Sequence, residues 1–353
     1  TFHLGITPTF KYPKNFILLM AAKVSKSKTT KPKVYITRQI PKVGIDILKK
    51  HFTVKVYNKN QAIPKNQLDK AAKWADALLT LLTEKIDHKF LTKHSHLKVI
   101  ANYAVGYDNI DLVSATKNKI PITNTPGVLT DAVAEHTIAL MLALSRRIVE
   151  ADNYSKSHKY KVWQPMLLMG SQMRGKTLGI IGSGRIGADV AQKCYHAFGM
   201  KIMYTDMHKN NSLEIETNAK KTSLAQICKH ADFISLHVPL LKSTHHLIGK
   251  KELSLMKKNA YLINTARGPV IDEKALLKAL KNKQIKGAAL DVFEFEPKIT
   301  KGLEKLPNVI LTPHIASATI EAREMMATIA AKNICAVLKG KKALNLVNKD
   351  LKK

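Results

Sequence analysis

The sequence predicts an α/β protein with two parallel sheets, each covered on both faces by helices. Three observations predict it. Short β-rich runs alternate with helical patterns from Lys33 onward. The alternation is interrupted once, over residues 130–160, and then resumes. The length of 353 residues suits two domains better than one. Strands that alternate with helices form parallel sheets, because each crossover returns along a sheet face as a helix.

In the first series, KVYIT (33–37), FTVKVY (52–57), DALLTLL (76–82) and LKVIA (97–101) read as strands, and VGIDILKK (43–50) reads as a helix. The interruption carries apolar residues at Ala134, Ile138, Met141, Leu142 and Leu144, which is helical spacing. Thr130 or Asp131 can cap its start. A helix over about 130–149 is longer than a crossover needs, so it is read as a bridge between domains. The second series has strands TLGII (177–181), KIMYTD (201–206), DFISLHV (232–238), YLINT (261–265), GAALDV (287–292) and NVILT (308–312). Helices ADVAQKCYHAFG (188–199) and DEKALLKALKNK (272–283) lie between them. The last long helix, 318–340, falls beyond this series and is expected to return to the first domain.

Composition narrows the class. Hydrophobic residues make up 45% of the chain, which is globular and not disordered. The net charge of +32 is almost all lysine, spread along the whole chain without a nucleic-acid-binding motif. It is read as a diffuse solvated surface that attracts small anions, with no specific nucleic-acid partner. The three cysteines, Cys194, Cys228 and Cys335, show no paired spacing, which fits a reducing cytoplasm. His94/His96 and His245/His246 lack cysteine or acidic ligands at metal-binding spacing and are read as surface or turn histidines, with no metal expected. No apolar run approaches the ~20 residues of a membrane-spanning helix. Met20 is read as the natural start, with residues 1–19 upstream of it and 23–33 a loose tail, so that 1–31 is a flexible N-terminal extension; a signal peptide around FILLMAA (16–22) is the alternative.

GSGRIG (182–187) fits G-x-G-x-x-G and sits between a strand and a helix, the context that gives the pattern meaning. Gly182 permits the tight turn, Gly184 admits a pyrophosphate close to the backbone, and Gly187 lets helix and strand pack. Ser183, Arg185 and Ile186 complete the turn, whose amides and helix dipole favour an anion. Asp206 ends the next strand, 19 residues after Gly187, where an acid receives the ribose hydroxyls of a dinucleotide. A carboxylate there repels a 2′-phosphate. Two unit charges at ~4 Å cost ~1 kcal/mol in water and ~4 kcal/mol at an effective dielectric near 20. NAD(H) is therefore preferred, with NADP(H) possible because His208 and Lys209 lie close by.

Three ionisable residues follow strands of the second series: Arg267 in INTARGPVID, Glu296 in LDVFEFEP and His314 in LTPHIA. Carboxyl ends of strands line the ligand crevice of an open α/β sheet. A cation, a carboxylate and an imidazole are thus aimed at one place.

With NTPGVLTDAVAEHT, GSGRIG, LHVPL, NTARGPVID, DVFEFEP and TPHIA in this order, the chain resembles the D-isomer-specific 2-hydroxyacid dehydrogenases from about Lys33 to Lys341. TRQIPKVGIDIL, YAVGYDNID and WQPM make it most similar to their glyoxylate/hydroxypyruvate reductases. The resemblance implies two Rossmann-like doubly wound domains, with the nucleotide-binding one (127–314) inserted into a discontinuous substrate domain (32–126 and 315–343), then a tail (344–353). It implies that Arg267, Glu296 and His314 are catalytic, and that the substrate is a small 2-oxo or 2-hydroxy acid. It further implies that Val105 and Gly106 offer amides to the substrate carboxylate. Thr265, Ala266 and Asp291 would sit by the nicotinamide, with Asp291 accepting from its carboxamide, and Val238 and Pro239 would lie near the adenine. A homodimer is implied, in which Trp163 either reaches the neighbouring subunit's substrate pocket or packs at the interface. A phosphoglycerate dehydrogenase and a dinucleotide-sensing corepressor share the same motifs and stand as alternatives.

Overall fold

The structure is a computed structural model, and it describes residues 31–351. The expectations about Met20 and the segment before residue 31 lie outside the described residues. Among the described residues, twelve strands occur in two sheets: β1 (Lys33–Ile36), β2 (Thr53–Val56), β3 (Ala77–Thr80), β4 (Val99–Asn102) and β5 (Ile122–Thr123), then β6 (Thr177–Ile181), β7 (Lys201–Thr205), β8 (Lys220–Lys221), β9 (Phe233–Leu236), β10 (Tyr261–Asn264), β11 (Gly287–Leu290) and β12 (Val309–Leu311). The first sheet has the order β2-β1-β3-β4-β5 and the second β12-β11-β10-β9-β6-β7-β8. The paired strands run parallel throughout. In the second sheet the order reverses beside β6, which is where such a sheet opens a ligand crevice.

The central strands, β3 and β4 of the first sheet and β9, β10 and β11 of the second, are buried on both faces, as their near-continuous apolar runs require. Val34, Ile36 and Leu79 pack with Met326, Ala330 and Ile334 of the helix Ile320–Leu338 on one face of the first sheet. Leu78 and Ile100 pack with Leu68, Phe90 and Leu91 on the other. Val190 and Cys194 of the helix Arg185–Phe198 cover one face of the second sheet, and Leu276 and Leu280 of the helix Glu273–Lys281 cover the other. The helix Ile320–Leu338 comes so close to the helix Lys42–Lys49 that a side chain at Gly44 would strike the Ala327 backbone.

Four features differ from the sequence expectation. The helix expected over 130–149 ends at Ser145, and a separate helix, Ile148–Lys156, begins after Arg147. Arg147 takes a left-handed φ of 55°, and the Ser145 carbonyl accepts from Ser171 N at 2.8 Å, so the returning chain replaces the next helical bond. Leu129 and Val133 nonetheless belong to the first sheet's core, while Met141 and Leu144 belong to the second's. The two-residue strands β5 and β8 carry too short a pattern to be read locally. The segment expected as a tail lies against β5: Val347 N donates to Ile122 O at 2.8 Å, and Ile122 N donates to Asn348 Oδ1 at 2.9 Å. Of the two readings given to His94, surface or turn, the turn one holds, but the side chain is buried, with Nε2 2.8 Å from Asp69 Oδ1.

Candidate active site

Strand register brings the ionisable residues together. Asn264, Leu290 and Leu311 are paired across β10, β11 and β12, so the three strands end level. Arg267, Glu296 and His314 follow those ends on neighbouring loops. His314 Nδ1 stands 3.0 Å from Glu296 Oε2, and Glu296 Oε1 accepts from Phe293 N at 3.0 Å. With Glu296 accepting from Nδ1–H, the ring is oriented and Nε2 is left for another partner. Arg267 Nε donates to Asp108 Oδ1 at 3.0 Å, and Nη1 donates to Ala266 O at 2.8 Å. A cleft of about 740 Å³ is lined by Asp108, Leu240, Arg267, Phe293, Glu296 and Lys298. His314 joins this group through its contact with Glu296.

The His314 backbone is left-handed, with φ 54°, which is costly for a residue with a bulky ring. Asp291 compensates. Its carbonyl accepts from His314 N at 2.8 Å. Its carboxylate accepts from Thr312 Oγ1 at 2.6 Å, Ile315 N at 2.9 Å and Ala316 N at 2.8 Å. His136 Nε2 lies 3.4 Å from the same carboxylate. Burial raises the Asp291 carboxyl, but the bonds from His136, Thr312 and the two amides outweigh it and hold the group below the ordinary carboxylate value. Asp291 is 0% exposed, and these donors fix its carboxylate at the end of β11. It is a clamp on the His314 loop.

The glycine turn follows β6. Gly182 has φ 94° and packs against His237 and Val238, where a side chain would not fit. A Cβ at Gly187 would strike Gly182 O, whereas one at Gly184 would meet open space. The helix from Arg185 opens at that space, and Ile186 packs into the cores of both sheets. Asp206 Oδ2 accepts from Ser183 N at 2.7 Å, and Asp206 Oδ1 accepts from His208 N at 3.3 Å. Val238 and Pro239 follow β9 beside this turn, with Pro239 exposed. Thr265 Oγ1 is 2.9 Å from Thr137 Oγ1, and Ala266 N donates to Asn264 Oδ1 at 3.0 Å, so both are set by the end of β10.

Val105 and Gly106 lie on the loop after β4, facing Arg267: a Cβ at Gly106 would fall on Arg267 Nη2. Trp163 lies apart from these groups in an irregular segment and is 73% exposed. Asp108, Asn102, Asn124, His136 and Thr137 are site residues that the motifs did not single out. Asp108 was legible as an acid two residues from the loop glycine, but its partner Arg267 is distant in sequence. Among the described residues, no group of three or more metal-ligating side chains occurs.

A crossover-linked dinucleotide sheet, a smaller parallel sheet and an imidazole–carboxylate–guanidinium set between them define a class of oxidoreductase. Residues 138–316 match the family profile described as D-isomer specific 2-hydroxyacid dehydrogenase, NAD binding domain, and the chain belongs to that family. A glyoxylate reductase of Thermococcus litoralis is 51% identical over 325 residues, covering 91% of this chain and 98% of that one. A solved structure from Thermus thermophilus shares 40% identity at a TM-score of 0.84, covering 89% of this chain and 99% of its own. The structure of a glyoxylate reductase from Paecilomyes thermophila shares 31% identity at a TM-score of 0.81, with coverage of 91% and 99%.

Proposed function

We propose that this protein reduces glyoxylate or hydroxypyruvate to the 2-hydroxy acid, using NADH in preference to NADPH. The relatives named glyoxylate reductase support the substrate class. The observation that carries the chemistry is the 3.0 Å pair of His314 and Glu296 beside a cleft that Arg267 also lines. The residues present fit a dinucleotide: Gly184 leaves open space at a helix N-terminus, and Asp206 offers a carboxylate for ribose hydroxyls. Bound nicotinamide supplies the hydride for C2 of the substrate. Arg267 holds the carboxylate and carbonyl oxygens as a planar fork and stabilises charge developing on the latter. His314 gives its Nε2 proton to that oxygen and keeps its Nδ1 proton, which it donates in a hydrogen bond to Glu296; the carboxylate offsets the imidazolium charge beforehand. Residues 32–126 with 315–343 form the substrate-holding part and 127–314 the nucleotide part. The packing of the helix Ile320–Leu338 on the first sheet supports this division.

We further read the protein as a homodimer. The exposed apolar side chains of Tyr160, Val162, Trp163 and Met166, close together in sequence, support this reading, because clustered bare apolar groups mark interaction sites. A reducing, cytoplasmic setting is supported by three free cysteines, two of them buried. No helix among the described residues is long and apolar enough to cross a membrane. The test is a steady-state panel of glyoxylate, hydroxypyruvate, pyruvate and phosphohydroxypyruvate with NADH and NADPH. Turnover highest with glyoxylate or hydroxypyruvate is expected. Preference for the phosphorylated acid would mark a phosphoglycerate dehydrogenase, and dinucleotide binding without turnover would mark a sensor.

A further inference from the structure

The loop after β4 passes beneath the Arg267 guanidinium, and its carbonyls are held from behind. Thr125 N donates to Ala104 O at 2.8 Å. Asn124 Nδ2 donates to Val105 O at 2.8 Å, and Asn102 Nδ2 donates to Gly106 O at 2.9 Å. Neither asparagine is free to turn. Asn102 is fully buried, and its oxygen accepts from Thr80 Oγ1 at 3.1 Å. Asn124 N donates to Asn345 O at 3.3 Å, and Asn124 O faces Asn333 Nδ2 at 3.5 Å. Asn333 is itself buried and bonded both ways to Asn345.

A trans peptide points its C=O and N–H in opposite directions. Holding the carbonyls of Ala104, Val105 and Gly106 therefore turns the N–H groups of Val105, Gly106 and Tyr107 away from the asparagines. Among the described residues these three amides have no acceptor. Val105 and Gly106 are half-buried, while Tyr107 is exposed; half-buried amides normally find an acceptor, so the two successive unpartnered ones mark a place for an outside anion. Gly106 lacks the side chain that would strike Arg267 Nη2, so the guanidinium sits directly over the loop. Adjacent amides under a guanidinium suit a carboxylate.

We propose that Asn102 and Asn124 are positioning residues that aim these amides at the carboxylate of the 2-oxo acid. This rests on the reading of the site as one for a 2-oxo acid. Removing either amide group frees its carbonyl to swing and lets the N–H turn from the ligand. Because a hydrogen bond to a charged group is at stake, the loss is about tenfold to a hundredfold in affinity for the acid. The effect falls on the acid and leaves the dinucleotide alone.

The test compares wild type, Asn124→Leu and Asn102→Leu. It reads KM and kcat for glyoxylate, inhibition by oxamate as a carboxylate probe, NADH binding by fluorescence, and the unfolding midpoint. Expected are a KM raised about tenfold or more and oxamate binding weakened in proportion, with NADH binding unchanged and kcat reduced less than KM is raised. Folded variants that keep the wild-type KM and oxamate affinity overturn the inference, as does a loss that falls equally on NADH. Should a leucine variant not fold, the isosteric Asn124→Asp decides. There, weakened oxamate binding that persists at high salt supports positioning, and recovery at high salt shows charge repulsion alone and overturns it. A wild type inactive toward every 2-oxo acid instead sinks the functional reading itself.

Discussion

Arg267 and Asp108 join the two sheets across the cleft, with Nε donating to Oδ1 at 3.0 Å. The contact holds one edge of the guanidinium and leaves Nη2 over Gly106. Asp108→Ala is expected to raise KM for glyoxylate about fivefold, the scale of a partly exposed charged pair. Arg267→Lys is expected to do more, because lysine cannot reproduce a planar fork. Steady-state kinetics checks both, and an Asp108 variant with unaltered KM removes that residue from the site.

His314→Ala should lower kcat by about a hundredfold to ten-thousandfold, the usual contribution of a positioned proton donor. Fluorescence titration should show NADH binding retained. Glu296→Gln keeps a bond to the ring but not the charge, and it should fall between wild type and His314→Ala. Near-normal turnover in His314→Ala would dismiss the imidazole as the proton source.

Asp206→Ala should shift the NADH/NADPH ratio of kcat/KM toward NADPH. Its carboxylate opposes a 2′-phosphate by ~1 to ~4 kcal/mol, so the shift is roughly fivefold or greater. NADH affinity should also drop, because Ser183 N loses its acceptor. A ratio that does not move would assign coenzyme choice to other groups.

Asp291→Asn should destabilise the fold by about 1–3 kcal/mol at neutral pH, the scale of losing bonds to a buried charge. The wild-type carboxyl is held below its ordinary value, so its stabilisation is present above the unfolded pKa and lost as pH falls through the folded one. The gap between wild type and variant should therefore narrow at pH values below about 4. Denaturant unfolding at neutral and acid pH measures it; a gap independent of pH contradicts the clamp's being a charge.

Trp163→Glu separates the two readings of that residue. Interface packing predicts a smaller species by size-exclusion with light scattering. A reach into a neighbouring pocket predicts a raised KM without dissociation. No change in either would leave the exposed indole outside both roles.

The glycine turn, the alternation of strands and helices, and the placing of Arg267, Glu296 and His314 after strands were legible locally. Each depends on residues a few positions apart: a strand's apolar run, a glycine where backbone must be approached, a polar residue where the run stops. Tertiary structure decided the rest. The level ends of β10, β11 and β12 come from ladder register, which no single strand encodes. The break at Arg147 depends on Ser171 reaching the Ser145 carbonyl. That Asp291 also holds the loop of residues 312–316 depends on contacts between segments more than 20 residues apart. The bonds from Asn102 to Gly106 and from Asn124 to Val105 exist only because the chain turns those amide groups onto the loop after β4. Hydrogen bonds between distant segments form only once the sheets have brought them together, so their partners are properties of the fold and not of any stretch of sequence.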